Sequence, residues 1–182
     1  MQKLGQRRIT VGEIIFTDTR VPKDSLLSQK EDGFKILMSL LNNTRLFAAS
    51  RPLGLLKTCL EKSIEYAQTR VQFEKPIRKL QMIQDQIAEI FINYEASKTM
   101  VYQAAANKDK GSKDIMEVST TKYLACESAV KATNTAIRIY GAYGFSMEFP
   151  IQRYLRDSFG FIITEGSSII QKVIIAKNLL NL

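Results

Sequence analysis

The sequence predicts an all-α fold: an antiparallel four-helix bundle with a short extended segment at its N-terminus. Three long stretches and a shorter last one carry apolar residues at helical spacing, and clear breaks separate them. Residues 9–21 alone are rich enough in β-branched side chains to indicate a strand. A single strand cannot form a sheet, so the helices have to supply the core.

The helices are predicted in chain order from their apolar stripes. A short helix is predicted after residues 32–33. The first long helix is predicted to begin near Pro52, since a proline is tolerated in the first turn of a helix but not deep inside it. Residues 110–112 end the second long helix, residues 141–144 end the third, and Pro150 begins a further short helix. The predicted inward residues are Leu53, Leu56, Leu60, Ile64 and Ala67; Ile83, Ile87, Ile90, Tyr94, Val101 and Ala104; Val118, Ala125, Ala129, Ala132, Ala136 and Ile139; and, in the last helix, Ile170, Val173, Ala176 and Leu180.

Residues 9–21 indicate that the chain carries the end of a second structural unit. They read Ile-Thr-Val-Gly-Glu-Ile-Ile-Phe-Thr-Asp-Thr-Arg-Val and stop at Pro22, which predicts one strand followed by an exit loop. A strand needs a hydrogen-bonding partner, and no other segment predicts one. We therefore expect residues 1–28 to be the end of a β-domain with its linker, and residues 29–182 to form the helical domain.

The composition argues against several classes of protein. The chain has 182 residues and is 45% apolar, and no apolar run approaches the ~18 residues that span a bilayer. The N-terminus lacks the apolar run of a signal peptide, so we expect a soluble protein of the cytoplasm or of an organelle matrix. The net charge of +8 comes from basic residues scattered among acidic ones. That pattern favours solvated helix faces, or a site for an anionic ligand, over a nucleic-acid or membrane partner.

The absence of histidine limits the possible catalytic chemistry. With no His and only Cys59 and Cys126, the sequence predicts no metal site and no Ser-His or Cys-His nucleophile pair. A general base therefore has to be a carboxylate, a lysine or a tyrosine. Both cysteines lie in apolar helical patterns, so we expect two reduced thiols in the core.

Four segments carry a resemblance to a known family. Residues 11–27 form the predicted strand and exit loop, and residues 33–49 contain the pair Thr44-Arg45. Residues 70–77 read Arg-Val-Gln-Phe-Glu-Lys-Pro-Ile, and residues 139–171 run from Ile-Tyr-Gly-Ala-Tyr-Gly-Phe through Thr-Glu-Gly-Ser. In this order and spacing, the segments resemble the C-terminal, FAD-binding helical domain of the acyl-CoA dehydrogenase family, preceded by the last strand of its middle β-domain.

The resemblance implies a flavin-dependent α,β-dehydrogenation of an acyl-CoA or another acyl thioester. In the family, a carboxylate removes the α-proton and FAD takes the β-hydride. Glu165 matches the base of one branch, while Thr44 stands where other members carry the base. Arg45 would then lie near the catalytic carboxylate and position it. Without the resemblance, Glu165 also fits a residue stabilised by a helix dipole, and Arg45 fits a helix surface.

The resemblance also implies an FAD site that is shared with a neighbouring subunit, and hence a homodimer or homotetramer. An arginine suits a phosphate because its planar fork can bind two oxygens. Lys177 matches an arginine near the CoA end in some members. The residues that match FAD-contacting positions are Arg70, Gln72, Phe73, Ile77, Gln81, Arg138, Ala142 and Ser167.

Several positions depart from the family pattern. Glu74 and Ala142 each replace a glycine, Arg138 replaces a glutamine, and Ile169 replaces a polar residue. Glu74 places a negative charge beside the expected phosphate-binding loop, where it should oppose FAD. Four alternatives stay open: the C-terminal part of a split or truncated enzyme, an enzyme completed by a separate chain that supplies further domains, an enzyme for carrier-protein thioesters, and a catalytically silent helical assembly module.

Overall fold

The computed structural model describes residues 1–29 and 31–182, and within them it contains six α-helices and one short β-hairpin. Two single-turn 3₁₀ segments, Lys23–Ser25 and Ile77–Lys79, lie in the connections. The helices are α1 Gly33–Thr69, α2 Gln81–Asp109, α3 Ile115–Tyr140, α4 Ala142–Phe145, α5 Ile151–Phe161 and α6 Ser168–Leu179, and the hairpin strands are β1 Val71–Gln72 and β2 Lys75–Pro76.

The first helix differs from the prediction. The short helix and the long helix that were expected on either side of Pro52 are one helix of 37 residues, and Pro52 is buried in its interior. A proline there removes one backbone donor and crowds the preceding turn. The helix continues because residues on both sides of Pro52, including Ala49 and Leu56, are buried in the same bundle. This tertiary packing outweighs the local preference of the proline.

Contacts between side chains fix the directions of the long helices. Asn107 of α2 donates a 2.7 Å hydrogen bond to Glu117, near the start of α3, so α2 and α3 run antiparallel. Tyr66 of α1 stacks on Tyr140 at the far end of α3, with ring centroids 4.0 Å apart. Helices α1 and α3 are therefore parallel to each other, and α2, which lies between them in the sequence, runs antiparallel to both. The antiparallel bundle predicted from the sequence is confirmed.

The fourth position of the bundle is shared by two helices. Helix α5 packs against α1 and α3, where the hydroxyls of Ser158 and Thr133 lie 3.1 Å apart. Helix α6 packs against α3 near its beginning, and Lys172 lies over the ring of Tyr123. The predicted short helix after Pro150 thus extends to Phe161 and takes part in the core.

The core lies around α3, whose inward faces carry small side chains. Ala125, Ala129 and Ala136 are fully buried. Cys59 and Cys126 are buried and unbonded, as predicted. Burial raises the pKa of Cys59 to about 12 and that of Cys126 to about 11, because a thiolate is poorly solvated in the core. None of the described helices combines the length and the apolar character that a bilayer-spanning segment requires.

The predicted strand at residues 9–21 is not formed. Within the part of the chain that the structure describes, this segment is exposed and pairs with no other strand. A β-branched composition favours extended backbone, but a ladder also needs a partner. The segment just before it is held against α5 instead. The backbone amide of Gln6 donates a hydrogen bond to the Asp157 carboxylate, and the Arg156 side chain donates one to the Leu4 carbonyl.

The inward face predicted for the last helix is also wrong. Ile170, Val173 and Leu180 are 46%, 44% and 65% exposed, and Ala176 is exposed as well. The residue that this helix buries completely is the polar Gln171. Apolar residues lie on several sides of α6, so their spacing alone does not define which face turns inward.

Candidate active site

Glu165 lies in the loop that connects α5 to α6, on an unusual backbone. Its φ angle is +56°, and that of Gly166 is +86°, so two consecutive residues adopt the left-handed conformation. This conformation is uncommon for a residue with a side chain. The Ser168 amide donates a 2.9 Å bond to the Ile162 carbonyl and closes the loop. The Glu165 side chain is half-buried and makes no hydrogen bond with the described residues.

The carbonyl next to Glu165 is held from two helices. Lys122 Nζ of α3 donates a 2.6 Å hydrogen bond to the Gly166 oxygen, and Gln171 Nε2 of α6 donates a second one of 3.0 Å. Both donor side chains are fully buried. The peptide between Gly166 and Ser167, one residue beyond Glu165, is therefore fixed by side chains of two different elements.

Arg45 lies beside the loop that carries Glu165, since its Nε is 3.8 Å from the position that a Cβ on Gly166 would take. Its side chain is 6% exposed, and Nη1 donates a 2.8 Å hydrogen bond to Asn42. Burial lowers the pKa of Arg45, and the negative charge of Glu165 partly opposes that shift. No direct ion pair joins Arg45 to Glu165 among the residues that the structure describes. Within the described residues, no ion pair therefore occupies the Glu165 carboxylate oxygens.

Lys122 is the residue of this cluster that the sequence analysis missed. Burial lowers the pKa of Lys122 and is the largest influence on that pKa. The positive charge of Arg45 lowers the pKa further, whereas Cys126 and Glu165 raise it. The sequence did contain a signal. Lys122 lies four residues after Val118 and three before Ala125, so it occupies a gap in the apolar stripe of α3. A lysine at such a position is buried and needs a partner.

Most of the predicted cofactor residues gather at the other end of the bundle. Arg70 follows α1, and its guanidinium lies 5.2 Å from the centre of the Tyr143 ring. The Ile77 amide donates to the Arg70 carbonyl at 2.9 Å, and Ile77 is buried. Phe73 is 81% exposed at the tip of the hairpin, where it and Glu74 have positive φ angles. The hairpin therefore presents an exposed aromatic ring, and the arginine that precedes it is tied to Ile77 through its backbone.

The remaining predicted residues of this end are on the surface. Gln72 is exposed in β1, with its amide donating to the Val71 carbonyl at 2.8 Å, and Gln81 is exposed at the start of α2. Arg138 and Ala142 are exposed on either side of Gly141, which ends α3. The structure thus places these side chains where a ligand could reach them.

Ser167 lies with Glu165, away from the other predicted cofactor residues. It is the N-cap of α6, and its hydroxyl accepts a 3.5 Å hydrogen bond from the Ile170 amide. Lys122 and Arg138 are separated by 16 residues of α3, which is about 24 Å along a helix. Each chain therefore carries two separate groups of predicted site residues, one at each end of α3. Lys177 is exposed in the last turn of α6.

A wide cleft between the N-terminal segment and helices α1 and α5 contains none of the predicted site residues. Its volume is about 720 Å³, and Asp157 is its one acidic side chain. The basic side chains that line it are Arg7, Arg8, Arg51, Arg153 and Arg156. These arginines come from three separate parts of the sequence, residues 7–8, 51 and 153–156, so no single local run indicated that they would meet.

Comparison with known proteins decides the family. The family model described as "Acyl-CoA dehydrogenase, C-terminal domain" matches residues 31–180. The chain belongs to the acyl-CoA dehydrogenase family. The match begins at the helical domain and includes the Arg45, Lys122 and Glu165 cluster as well as the hairpin.

The relatives cover this chain almost completely, but the chain covers only part of them. It is 42% identical to glutaryl-CoA dehydrogenase of Desulfococcus multivorans over 97% of its own length and 46% of the relative's. It superposes on butyryl-CoA dehydrogenase of Megasphaera elsdenii with a TM-score of 0.96 at 33% identity, over 99% of this chain and 47% of that one. Prolyl acyl carrier protein oxidase AnaB matches with a TM-score of 0.95 at 30% identity, over 98% and 47%. The chain spans about half the length of the curated relatives it matches.

We expect Gly166→Ala to lower the free energy of unfolding by about 1–3 kcal/mol, because of the left-handed backbone and the crowding at this position. A Cβ on Gly166 would lie 2.8 Å from Gln171 Nε2. The matched control is Gly54→Ala in the interior of α1, where a Cβ meets nothing within 4 Å. This control should stabilise the protein by about 0.5–1 kcal/mol. Urea unfolding of both variants measures the difference, and equal effects would show that the loop at Gly166 is unconstrained.

Proposed function

We propose that this chain is the base-bearing helical part of a flavin-dependent acyl-thioester dehydrogenase that acts on an acyl-CoA, with Glu165 as the α-proton base. The observation that carries the proposal is the setting of Glu165. Its carboxylate is half-buried, makes no hydrogen bond with the described residues, and projects from a loop whose backbone is fixed at Gly166. A base needs a free oxygen in a fixed position, and this loop offers both.

The proposed reaction removes two hydrogens from neighbouring carbons of the acyl chain. The α-proton passes to a Glu165 carboxylate oxygen, the β-hydrogen leaves as a hydride, and a trans-2 double bond forms between the two carbons. FAD, when bound, supplies the oxidant that accepts the hydride. Arg45 supports the carboxylate by its charge, without a direct ion pair that would occupy the oxygens.

The exposed residues at the hairpin fit the phosphate and adenine parts of FAD. Arg70 pairs with no carboxylate among the described residues, and the ring of Phe73 is free for contact with an aromatic base. Ser167 and Glu165 lie at the opposite end of α3. We propose that self-association brings the hairpin of one chain to the Glu165 end of another, so that one FAD contacts both chains.

Glu165→Gln should remove acyl-CoA dehydrogenation in the holoenzyme while the fold is retained, because the amide cannot accept the α-proton. We expect kcat to fall by at least about 10³-fold, at the upper part of the range for loss of a general base. Turnover is measured with an artificial electron acceptor, and folding by circular dichroism. Glu61→Gln, an exposed carboxylate of α1, is the control and should keep its activity.

Near-normal activity in the Glu165→Gln variant would assign the base to another residue. Folded, FAD-loaded protein with the native Glu165 and no turnover of any thioester would favour the silent assembly module instead.

Glu74→Gly should strengthen FAD binding, and Glu74→Gln separates the two reasons for it. Glu74 puts a negative charge beside the pyrophosphate-binding loop that we propose, and its φ angle of +60° favours glycine. If charge opposes FAD, both variants bind FAD more tightly; if only the backbone matters, the glycine variant alone improves. Titration of FAD followed by flavin fluorescence measures the affinity, and unchanged affinity in both variants would place the phosphates elsewhere.

A carrier-protein thioester is the second candidate substrate. The likeness to prolyl acyl carrier protein oxidase AnaB favours it, because that protein's name states a carrier-bound substrate and the fold agrees over nearly the whole chain. The same acyl group should be presented both on CoA and on a phosphopantetheinyl carrier protein. We expect kcat/KM to be higher for CoA; a reversed preference would replace CoA by the carrier protein in our proposal.

A further inference from the structure

Lys122 has a position that stability alone does not explain. It lies inside the apolar stripe of α3 and has no exposed surface. Removing an ammonium group from water is costly, and burial lowers the pKa of Lys122 accordingly. An apolar side chain of similar length would fill the same space without that cost. The lysine makes one hydrogen bond with the described residues, and its acceptor is the carbonyl of Gly166.

The Gly166 carbonyl belongs to the loop that carries Glu165. Glu165 and Gly166 form the left-handed corner between α5 and α6, and the peptide between Gly166 and Ser167 connects that corner to α6. The oxygen of Gly166 is turned inward, to the two buried donors Lys122 and Gln171. A left-handed corner at a non-glycine residue is strained, and it persists only when its surroundings hold it.

We propose that Lys122 is a positioning residue for Glu165: its hydrogen bond to the Gly166 carbonyl holds the catalytic loop in the conformation that presents the carboxylate. The proposal rests on the assignment of Glu165 as the base. Lys122 has no exposed surface, and this role needs no contact with substrate or cofactor. It acts through the backbone of the loop.

A hydrogen bond and a charge are two different ways in which Lys122 could act. The titratable groups around it are Arg45 from α1, Cys126 and Glu127 from α3, and Glu165 itself. Helix α6 contributes only the neutral Gln171 to the Gly166 carbonyl. Arg45 already places a positive charge near Glu165. Arg45 can therefore replace the charge of Lys122 near Glu165, but it cannot replace the short hydrogen bond from Lys122 to the Gly166 carbonyl.

Three variants of the holoenzyme test this role. Lys122→Met keeps the approximate volume and removes the donor, and Lys122→Gln keeps a donor but removes the charge. Lys131→Met on the same helix is the control, because Lys131 is largely exposed and its ion pair with Glu89 lies on the surface. The measurements are kcat, KM, the α-deuterium isotope effect on kcat, and amide hydrogen exchange of residues 162–168.

We expect Lys122→Met to lower kcat by about 10–100-fold, because a base displaced by ~1 Å loses rate on that scale. KM should stay within about twofold, since an anchor that acts on the loop backbone contributes little to ground-state binding. The isotope effect should grow, and amide exchange should rise in residues 162–168 but not in α2. Lys122→Gln should recover part of kcat. Lys131→Met should match the native enzyme in every measurement.

Three outcomes would overturn the proposal: a kcat for Lys122→Met equal to that of Lys131→Met, a Lys122→Gln variant no better than Lys122→Met, or unchanged exchange in the loop. If Lys122→Met does not fold, Gln171→Met replaces it, because it removes the other donor to the same carbonyl. It should then show a smaller loss of kcat with the same pattern. An inactive native enzyme would refute the assignment of Glu165 as the base. Amide hydrogen exchange of residues 162–168 needs no turnover, so it would still test whether Lys122 holds the loop.

Discussion

The burial of α3 is the constraint on which the rest of the structure depends. More than half of its residues are buried, and most of these carry small side chains, which lets α1, α2, α5 and α6 approach it closely. A helix enclosed on so many sides cannot shift without disturbing every neighbour. It therefore serves as a rigid reference for both ends of the molecule. Lys122 near its beginning and Tyr140 at its end connect it to the two groups of candidate site residues.

The two groups differ in how they are held. Around Glu165, buried polar side chains fix the backbone, and the Glu165 carboxylate itself is left without a hydrogen bond among the described residues. Around the hairpin, the backbone of Arg70 is tied to Ile77 and to the end of α1, while the side chains of Gln72 and Phe73 face solvent. The first arrangement suits proton transfer, which needs an accurate position, and the second suits recognition of a large ligand.

The sequence predicted those features that are determined locally. The ends of α2 and α3 were predicted because Gly111 and Gly141 interrupt long apolar stripes. The uninterrupted α1 could not be predicted, since it depends on packing across Pro52 that a local pattern does not contain. The strand expected at residues 9–21 failed for a related reason: composition favours extended backbone but does not provide a partner strand.

The candidate site shows the same division. The resemblance to a family located Glu165 and Arg45, whereas spacing alone left both open to other interpretations. Their proximity in the structure agrees with that prediction, although their roles stay predictions. Lys122 could have been found as the charged residue within an apolar stripe. The partner of Lys122, the Gly166 carbonyl, could not have been found from the sequence, because Gly166 lies 44 residues away and is brought close only by the fold.

The placement of the hairpin and Glu165 at opposite ends of α3 has a thermodynamic consequence. In the site that we propose, FAD contacts two chains and thereby acts as a cross-link between them. Cofactor binding and self-association are then linked equilibria, and each must strengthen the other by the same factor. Dilution would release flavin even with no change in any contact, and an excess of flavin would drive assembly. The cofactor would thus regulate the quaternary structure as well as the oxidation chemistry.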